Sequence, residues 1–333
     1  MRILVTGGAG FLGARLAREI LRRGQLAGQT VTELVIADLF PAPADLQADP
    51  RVKSHAGPML EQGDLLASGF DGVFHLASAV SGECELDFDL GMRSNLDSTR
   101  LLLDSIRRSG KVSRFVFASS VAVFGPYADQ PMPALVTDTT LPSPQTSYGT
   151  QKLMLEYLVA DQTRKGFIDG RSARLMTVTV RPGKPNGAAS SFFSGIIREP
   201  LAGVESICPV DASVSHPVSS PGTTIRSLIA VFEASQATLG NRLALNLPGL
   251  NVTVQQMLDA LEKVGGKAVR NRVRFERDER IAGIVGNWAR GATSERANAL
   301  GLHADSSFES IVEQYIDDCK NQPGYPAQAL AGL

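Results

Sequence analysis

Tyr148 and Lys152 stand four residues apart in the sequence Tyr148-Gly-Thr-Gln-Lys152. A helix through them places both side chains on one face. A phenol beside a fixed ammonium is a pattern for proton transfer. An ordinary tyrosine has a pKa of about 10, too high for a base at neutral pH, and a neighbouring cation favours the phenolate. Lys152 is therefore expected to lower the pKa of Tyr148. Upstream, Phe117-Ala118-Ser119-Ser120 ends an apolar run in hydroxyls. Ser120 at such a strand end can hold a substrate oxygen. Surface Tyr/Lys pairs share this spacing, so its meaning depends on what surrounds it.

What surrounds it begins at Thr6-Gly7-Gly8-Ala9-Gly10-Phe11-Leu12-Gly13. Gly7, Gly10 and Gly13 fall between an apolar strand pattern and an amphipathic helix pattern. That context lets a dinucleotide pyrophosphate approach the backbone at a helix N-terminus. Phe11 and Leu12 supply amides in the same turn. Asp38 ends the second strand pattern, where a carboxylate accepts the adenosine ribose hydroxyls. No arginine follows it to offset a 2′-phosphate, so NAD is expected over NADP. Asp64 and Leu65 are expected at the adenine. Ala77 and Ser78 close the run Gly72–Leu76 with small residues where backbone passes the cofactor, and Asn95 is added to the same set.

Strand patterns at Arg2–Thr6, Leu34–Asp38, Gly72–Leu76, Arg114–Ala118 and Met176–Val180 alternate with helix patterns at Phe11–Gly24, Asn95–Arg108 and Tyr148–Lys165. This alternation predicts an α/β fold, a doubly wound parallel Rossmann sheet with a smaller C-terminal substrate-binding lobe. The expected division is an NAD-binding domain over 1–182 and a lobe over 183–333, with some segments returning to the first domain. Lys184–Ser227 reads as loops and short elements around a pocket. Two later helices are expected, Thr253–Val264 and Phe308–Asp318, the second behind a Ser306 cap.

Hydrophobic residues make up 43% and charged residues 20% of the 333, with a formal net charge of −1. That balance offers no electrostatic footing for nucleic acid or a membrane surface. No apolar stretch approaches the roughly 20 residues that span a bilayer. The chain runs directly into its first strand, so no signal peptide is expected, and the location is read as cytoplasmic. Cys84, Cys208 and Cys319 are scattered, as are the four histidines. No metal site is expected.

Taken together, T-G-G-A-G-F-L-G, S-S-V-A-V-F-G and Y-x-x-x-K resemble the extended short-chain dehydrogenase/reductases, which include NAD-dependent sugar-nucleotide epimerases and dehydratases. The resemblance implies that Ser120 orients the reacting hydroxyl and that Tyr148 takes its proton. It implies that Lys152 holds the nicotinamide ribose, with Tyr148 and Pro185 also beside the cofactor. A homodimer is implied on the same ground.

The chain departs from the sugar-nucleotide enzymes at two places. Where many carry R-x-x-N-P-x-G, this sequence reads Arg181-Pro-Gly-Lys184-Pro185-Asn186-Gly187, with a cation in place of the asparagine. Ser213–Ser220 lacks the arginine with which those enzymes grip a diphosphate. The segment from Arg181 through Ser190-Ser191 to Leu201 is instead similar to NAD enzymes that oxidise the C2 hydroxyl of a four-carbon sugar acid such as D-erythronate. A small acid needs one cation and several donors. Lys184, Asn186, Ser190 and Ser191 are the expected ligands beside Ser78, Ser120 and Tyr148, with Arg226 as a second cation. The rival readings are a sugar-nucleotide epimerase or dehydratase and a non-catalytic NAD-binding regulator. Val121-Ala122 offers no acidic pair for dehydration, and a regulator has no use for Ser120, Tyr148 and Lys152.

Overall fold

The computed structural model describes residues 1–127, 129–183 and 188–333. The first strand, β1 (Arg2–Thr6), passes through the glycine turn into α1 (Phe11–Arg23). Then come β2 (Glu33–Asp38), β3 (Val52–Ala56), α2 (Gly63–Ala67) and β4 (Gly72–His75). α3 (Ser81–Leu86) and α4 (Ser98–Arg108) precede β5 (Arg114–Ser120). The long helix α5 (Ser147–Arg164) carries the chain back to β6 (Asp169–Leu175) and a short β7 (Thr177–Val178). Next are α6 (Ser191–Leu201), β8 (Ser215–Ser219), α7 (Pro221–Glu233) and β9 (Leu245–Asn246). β10 (Leu250–Thr253) leads into α8 (Val254–Gly265), and α9 (Phe308–Asn321) is the last long helix.

The main sheet runs in the order β9-β6-β5-β4-β1-β2-β3, and every neighbouring pair is parallel. Its order reverses between β1 and β4, the crevice where ligands bind in such sheets. Both faces are covered, so the central strands are apolar on both sides. Ile3, Val5 and Phe74 join the cluster with α1 and α7. Leu4, Phe115 and Phe117 join the one with α4 and α5. Each such side chain contributes roughly 1.5–3 kcal/mol when buried. A separate core of Phe193, Ile196, Met257, Leu258, Leu261, Phe308 and Ile311 lies under α6, α8 and α9.

Several boundaries differ from the sequence reading. The sixth strand of the sheet is β6, not Met176–Val180; of the latter only β7 is a strand, and it pairs with β8 in a smaller sheet. Arg171 and Arg174 disguise β6 as polar, yet both are buried with acidic partners, Asp169 and Glu156. The stretch expected to be loops holds α6 and α7, both largely buried. α9 is capped by Ser307 rather than Ser306. Asn95 lies in a π-helical turn, Met92–Asp97, ahead of α4. The chain after 183 serves both cores: α7 and β9 complete the Rossmann sheet, while α6, α8 and α9 build the second. No helix among the described residues is long and apolar enough to cross a membrane.

Candidate active site

Two glycines shape the turn after β1. Gly7 adopts φ +69°, and a Cβ there would lie 2.7 Å from the Ala77 backbone nitrogen. A Cβ on Gly13 would run into the Gly7 carbonyl oxygen. α1 therefore starts tight against the turn. Its N-cap, Gly10, offers no side-chain hydrogen bond, and the first turn holds no acidic residue. The first amides, including those of Phe11 and Leu12, are left to an anion. Asp38 is already oriented: Oδ2 accepts the Ala9 N–H at 3.0 Å and Oδ1 the Phe40 N–H at 3.2 Å.

These features fit a dinucleotide, with pyrophosphate over α1 and ribose at Asp38. Asp64 and Leu65 sit in α2, the former exposed and the latter partly buried. Cofactor choice follows from Asp38. NAD is expected to support turnover and NADP to support it poorly, because a 2′-phosphate meets that carboxylate. Equal kcat/KM for the two cofactors in an absorbance assay at the nicotinamide band contradicts this role.

Beyond β4 the chain is fixed by Asn95. Its Oδ1 accepts the Ala79 N–H at 2.7 Å and the Ser78 hydroxyl at 3.0 Å. Its Nδ2 donates to Gln151 Oε1 at 2.7 Å and to Cys84 Sγ at 3.3 Å. Asn95 is buried and its amide is spent on protein, so it acts on a ligand through Ser78 and Ala79. His75 links the same region to β1. Thr99 gives its hydroxyl proton to the Asn95 carbonyl, so His75 Nε2 donates to Thr99 and Nδ1 accepts from Thr6. Burial, with the Lys152 charge adding, holds His75 down at about 3. It is a neutral strut.

The reacting group stands at the head of α5. Thr146 caps that helix by accepting the Gly149 N–H at 3.0 Å. Lys152 is buried and donates to the Ala118 carbonyl at 2.8 Å, with its ammonium 5.4 Å from the Tyr148 ring centre. Ser120 caps the turn after β5, accepting the Ala122 N–H at 3.1 Å, and its hydroxyl also meets the Tyr148 phenol. Desolvation pushes Tyr148 up to about 12; Ser120 and the Arg181 charge act against that rise. Arg181 is a cation acting on Tyr148 that the sequence reading did not assign. Lys152 donates one of its three N–H bonds to the Ala118 carbonyl, and burial takes it down to about 8.

Arg181 is the residue that sequence reading quoted without assigning. It is partly buried, and burial lowers its pKa, with Arg198 adding. Its Nη2 donates to Ser190 Oγ at 3.1 Å at the head of α6. Among the described residues no carboxylate forms an ion pair with it. A cation directly after an apolar strand run was the available signal. Ser190 and Ser191 open α6 as its N-cap and first residue. Arg226 lies elsewhere: exposed on α7 and bonded to Thr223 Oγ1, it belongs to the helix layer that packs on α1, whereas α5 lies in the opposite layer. Lys184, Pro185 and Asn186 lie outside the described residues.

A Rossmann crevice with a partly buried phenol and a buried ammonium beside a strand-end hydroxyl defines an NAD-dependent oxidoreductase. The chain belongs to the NAD dependent epimerase/dehydratase family, whose model matches residues 3–239. It is 47% identical to a D-erythronate dehydrogenase from Cupriavidus necator over 96% of this chain and 98% of that protein. A D-erythronate dehydrogenase from Haemophilus influenzae is 39% identical, over 95% of this chain and 99% of that one. A crystal structure described as a nucleoside-diphosphate-sugar epimerase from Agrobacterium tumefaciens superimposes with a TM-score of 0.90 at 42% identity, covering 96% of this chain and 94% of that chain.

Proposed function

We propose that this protein oxidises the C2 hydroxyl of a small sugar acid, D-erythronate or a close analogue, to the 2-keto acid. The observation that carries the reading is Arg181. A partly buried guanidinium acts on the Tyr148 phenol and has no acidic partner among the described residues. Burying a cation without a counter-charge is costly, and an anionic ligand offsets that cost. A carboxylate on Arg181 sets the adjacent carbinol toward Ser120 and Tyr148. Two close relatives bear the name of an enzyme for such an acid.

In this reading NAD, when bound, is the hydride acceptor. Ser120 holds the C2 oxygen, and the Tyr148 phenolate takes the proton from the C2 hydroxyl. The C2–H electron pair leaves with hydrogen as hydride, and the oxygen forms the carbonyl. Lys152, anchored on Ala118, holds the nicotinamide ribose. The protein acts in the cytoplasm as a homodimer.

The experiment is a paired substitution, Arg181→Met and Lys184→Met, assayed with D-erythronate and with neutral polyols. A hydrogen bond to a charged group is worth roughly 1.5–3 kcal/mol, so losing the carboxylate contact lowers kcat/KM by about 10- to 150-fold. That loss is expected for acids with Arg181→Met, with NAD affinity retained. Lys184→Met is expected to show it only where Lys184 shares the carboxylate. If neither variant changes the preference for acids over polyols, the acid assignment is wrong.

The second reading, action on a sugar nucleotide, is favoured by the description of the Agrobacterium structure. Against it stands β8, where a diphosphate-gripping arginine would be sought. That strand is buried, and its His216 is spent between Thr177 Oγ1 and the Ala289 carbonyl. Turnover of a nucleotide sugar without net reduction of NAD supports that reading over ours.

A further inference from the structure

Glu156 lies on α5 one turn beyond Lys152, and neither the proton transfer nor cofactor binding above makes use of it. It is buried, and three groups converge on its carboxylate. Ser119 donates to Oε1 at 2.5 Å; Arg174 donates through Nε to Oε1 at 2.9 Å and through Nη2 to Oε2 at 2.8 Å. Ser119 and Arg174 are cross-strand partners on β5 and β6, so one carboxylate staples two strands to one helix. The staple falls between the two residues that matter. Ala118, immediately before Ser119, holds the Lys152 ammonium, and Ser120, immediately after it, meets the phenol.

A buried ion pair is a poor source of net stability, since apolar residues of similar volume often do as well. Its charge and its geometry are what apolar residues cannot replace. We propose that Glu156 is a positioning residue of this reaction, locking the end of β5 onto α5 and standing as the anionic partner of the Lys152 ammonium. The proposal rests on the assignment of Tyr148 and Lys152 given above.

The groups around Lys152 support the electrostatic half. Tyr148 and Glu156 share its helix; His75 ends β4, Cys84 lies on α3, Arg174 stands behind Glu156 on β6, and Arg181 lies beyond the phenol. Burial keeps His75 neutral and raises the Cys84 thiol. Tyr148 is likewise pushed up, to about 12. The ion-paired Glu156 carboxylate is then the anion of the set at neutral pH. Burial lowers Lys152 to about 8, opposed by Cys84 and then by Glu156. Glu156 stays one helical turn away rather than in contact, so it supports the ammonium without occupying it.

The test reads NAD affinity against pH by calorimetry. Lys152 binds NAD as an ammonium, so affinity falls as pH rises through its pKa, near 8 in the parent. Lys152→Met identifies that fall: a variant that keeps it contradicts the role of Lys152 itself rather than that of Glu156. In Glu156→Gln, which keeps the shape and removes the charge, the midpoint is expected to move down by about one unit. If an unpaired Arg174 prevents that variant from folding, Arg174→Met leaves the Glu156 charge uncompensated, and the same midpoint is expected to move up instead. A folded variant with an unmoved midpoint overturns the electrostatic half.

Ser119→Ala leaves the ion pair in place and frees only the strand end. It is expected to lower kcat about 10-fold through misplacement of Ser120, with the midpoint unmoved. An unchanged kcat overturns the clamp.

Discussion

Tyr148→Phe is expected to lower kcat by about 10²–10⁴-fold, the usual range for loss of a general base. The ring remains, so packing at the head of α5 and NAD affinity are expected to persist. The phenol of the parent must ionise before it accepts a proton, and burial places that ionisation high, at about 12 in the protein alone. Nearby positive charge lowers it, and activity in the parent rises with pH as the phenolate forms. The sign is opposite to that of Lys152, whose ammonium is lost as pH rises. Tyr148→Phe is therefore expected to remove the rising limb of the kcat profile and leave the fall in NAD affinity untouched. Steady-state kinetics across pH, with calorimetric NAD binding beside it, separates the two. A variant within a few-fold of the parent, still rising with pH, assigns the proton to another group.

Gly13→Ala is expected to weaken NAD binding by about 100-fold, equivalent to about 2.7 kcal/mol. The added methyl meets the Gly7 carbonyl oxygen and the Gly8 Cα. Both belong to backbone that cannot rotate aside, so α1 must move away from the turn. That movement carries the α1 amides off the pyrophosphate position. Overpacking of this kind also costs about 1–3 kcal/mol of stability, so Tm is expected to fall by several degrees. Gly283→Ala is the matching control. Gly283 lies inside the helix Glu279–Gly286, and a Cβ there meets nothing within 4 Å. That change is expected to leave both NAD affinity and Tm near the parent values. Gly13→Ala with unaltered NAD affinity means the cofactor lies elsewhere.

Much of this molecule is readable along the chain because the relevant contacts are local. The glycine spacing, the strand before it and the helix after it fall within a few residues, and sterics alone link them. Periodicity also locates α5, with Tyr148 and Lys152 on one face, and adding Glu156 at the next turn extends the same stripe. β6 escaped because periodicity is blind to pairing: Arg171 and Arg174 read as solvent-facing until Asp169 and Glu156 are brought to them. α6 and α7 were hidden by their serines, glycines and prolines. Ser220 caps α7 by accepting the Thr223 N–H, and Pro221 stands where a helix tolerates proline.

The sequence by itself determined the class of chemistry, because a glycine turn, a strand-end hydroxyl and a Tyr/Lys stripe leave few alternatives for a chain of this composition. Tertiary structure decided which charge acts on which group. Arg181 and Tyr148 are separated by most of a helix and a whole strand, and Ser119 and Glu156 by 37 residues, yet the parallel sheet aligns the strand ends on one edge. Desolvation at that edge then sets the protonation of Tyr148, Lys152 and His75. Burial is a property of everything packed around a residue, so no spacing along the chain encodes it. For the same reason the sequence named Arg226, which faces solvent on α7, and passed over Arg181, whose charge acts on the phenol.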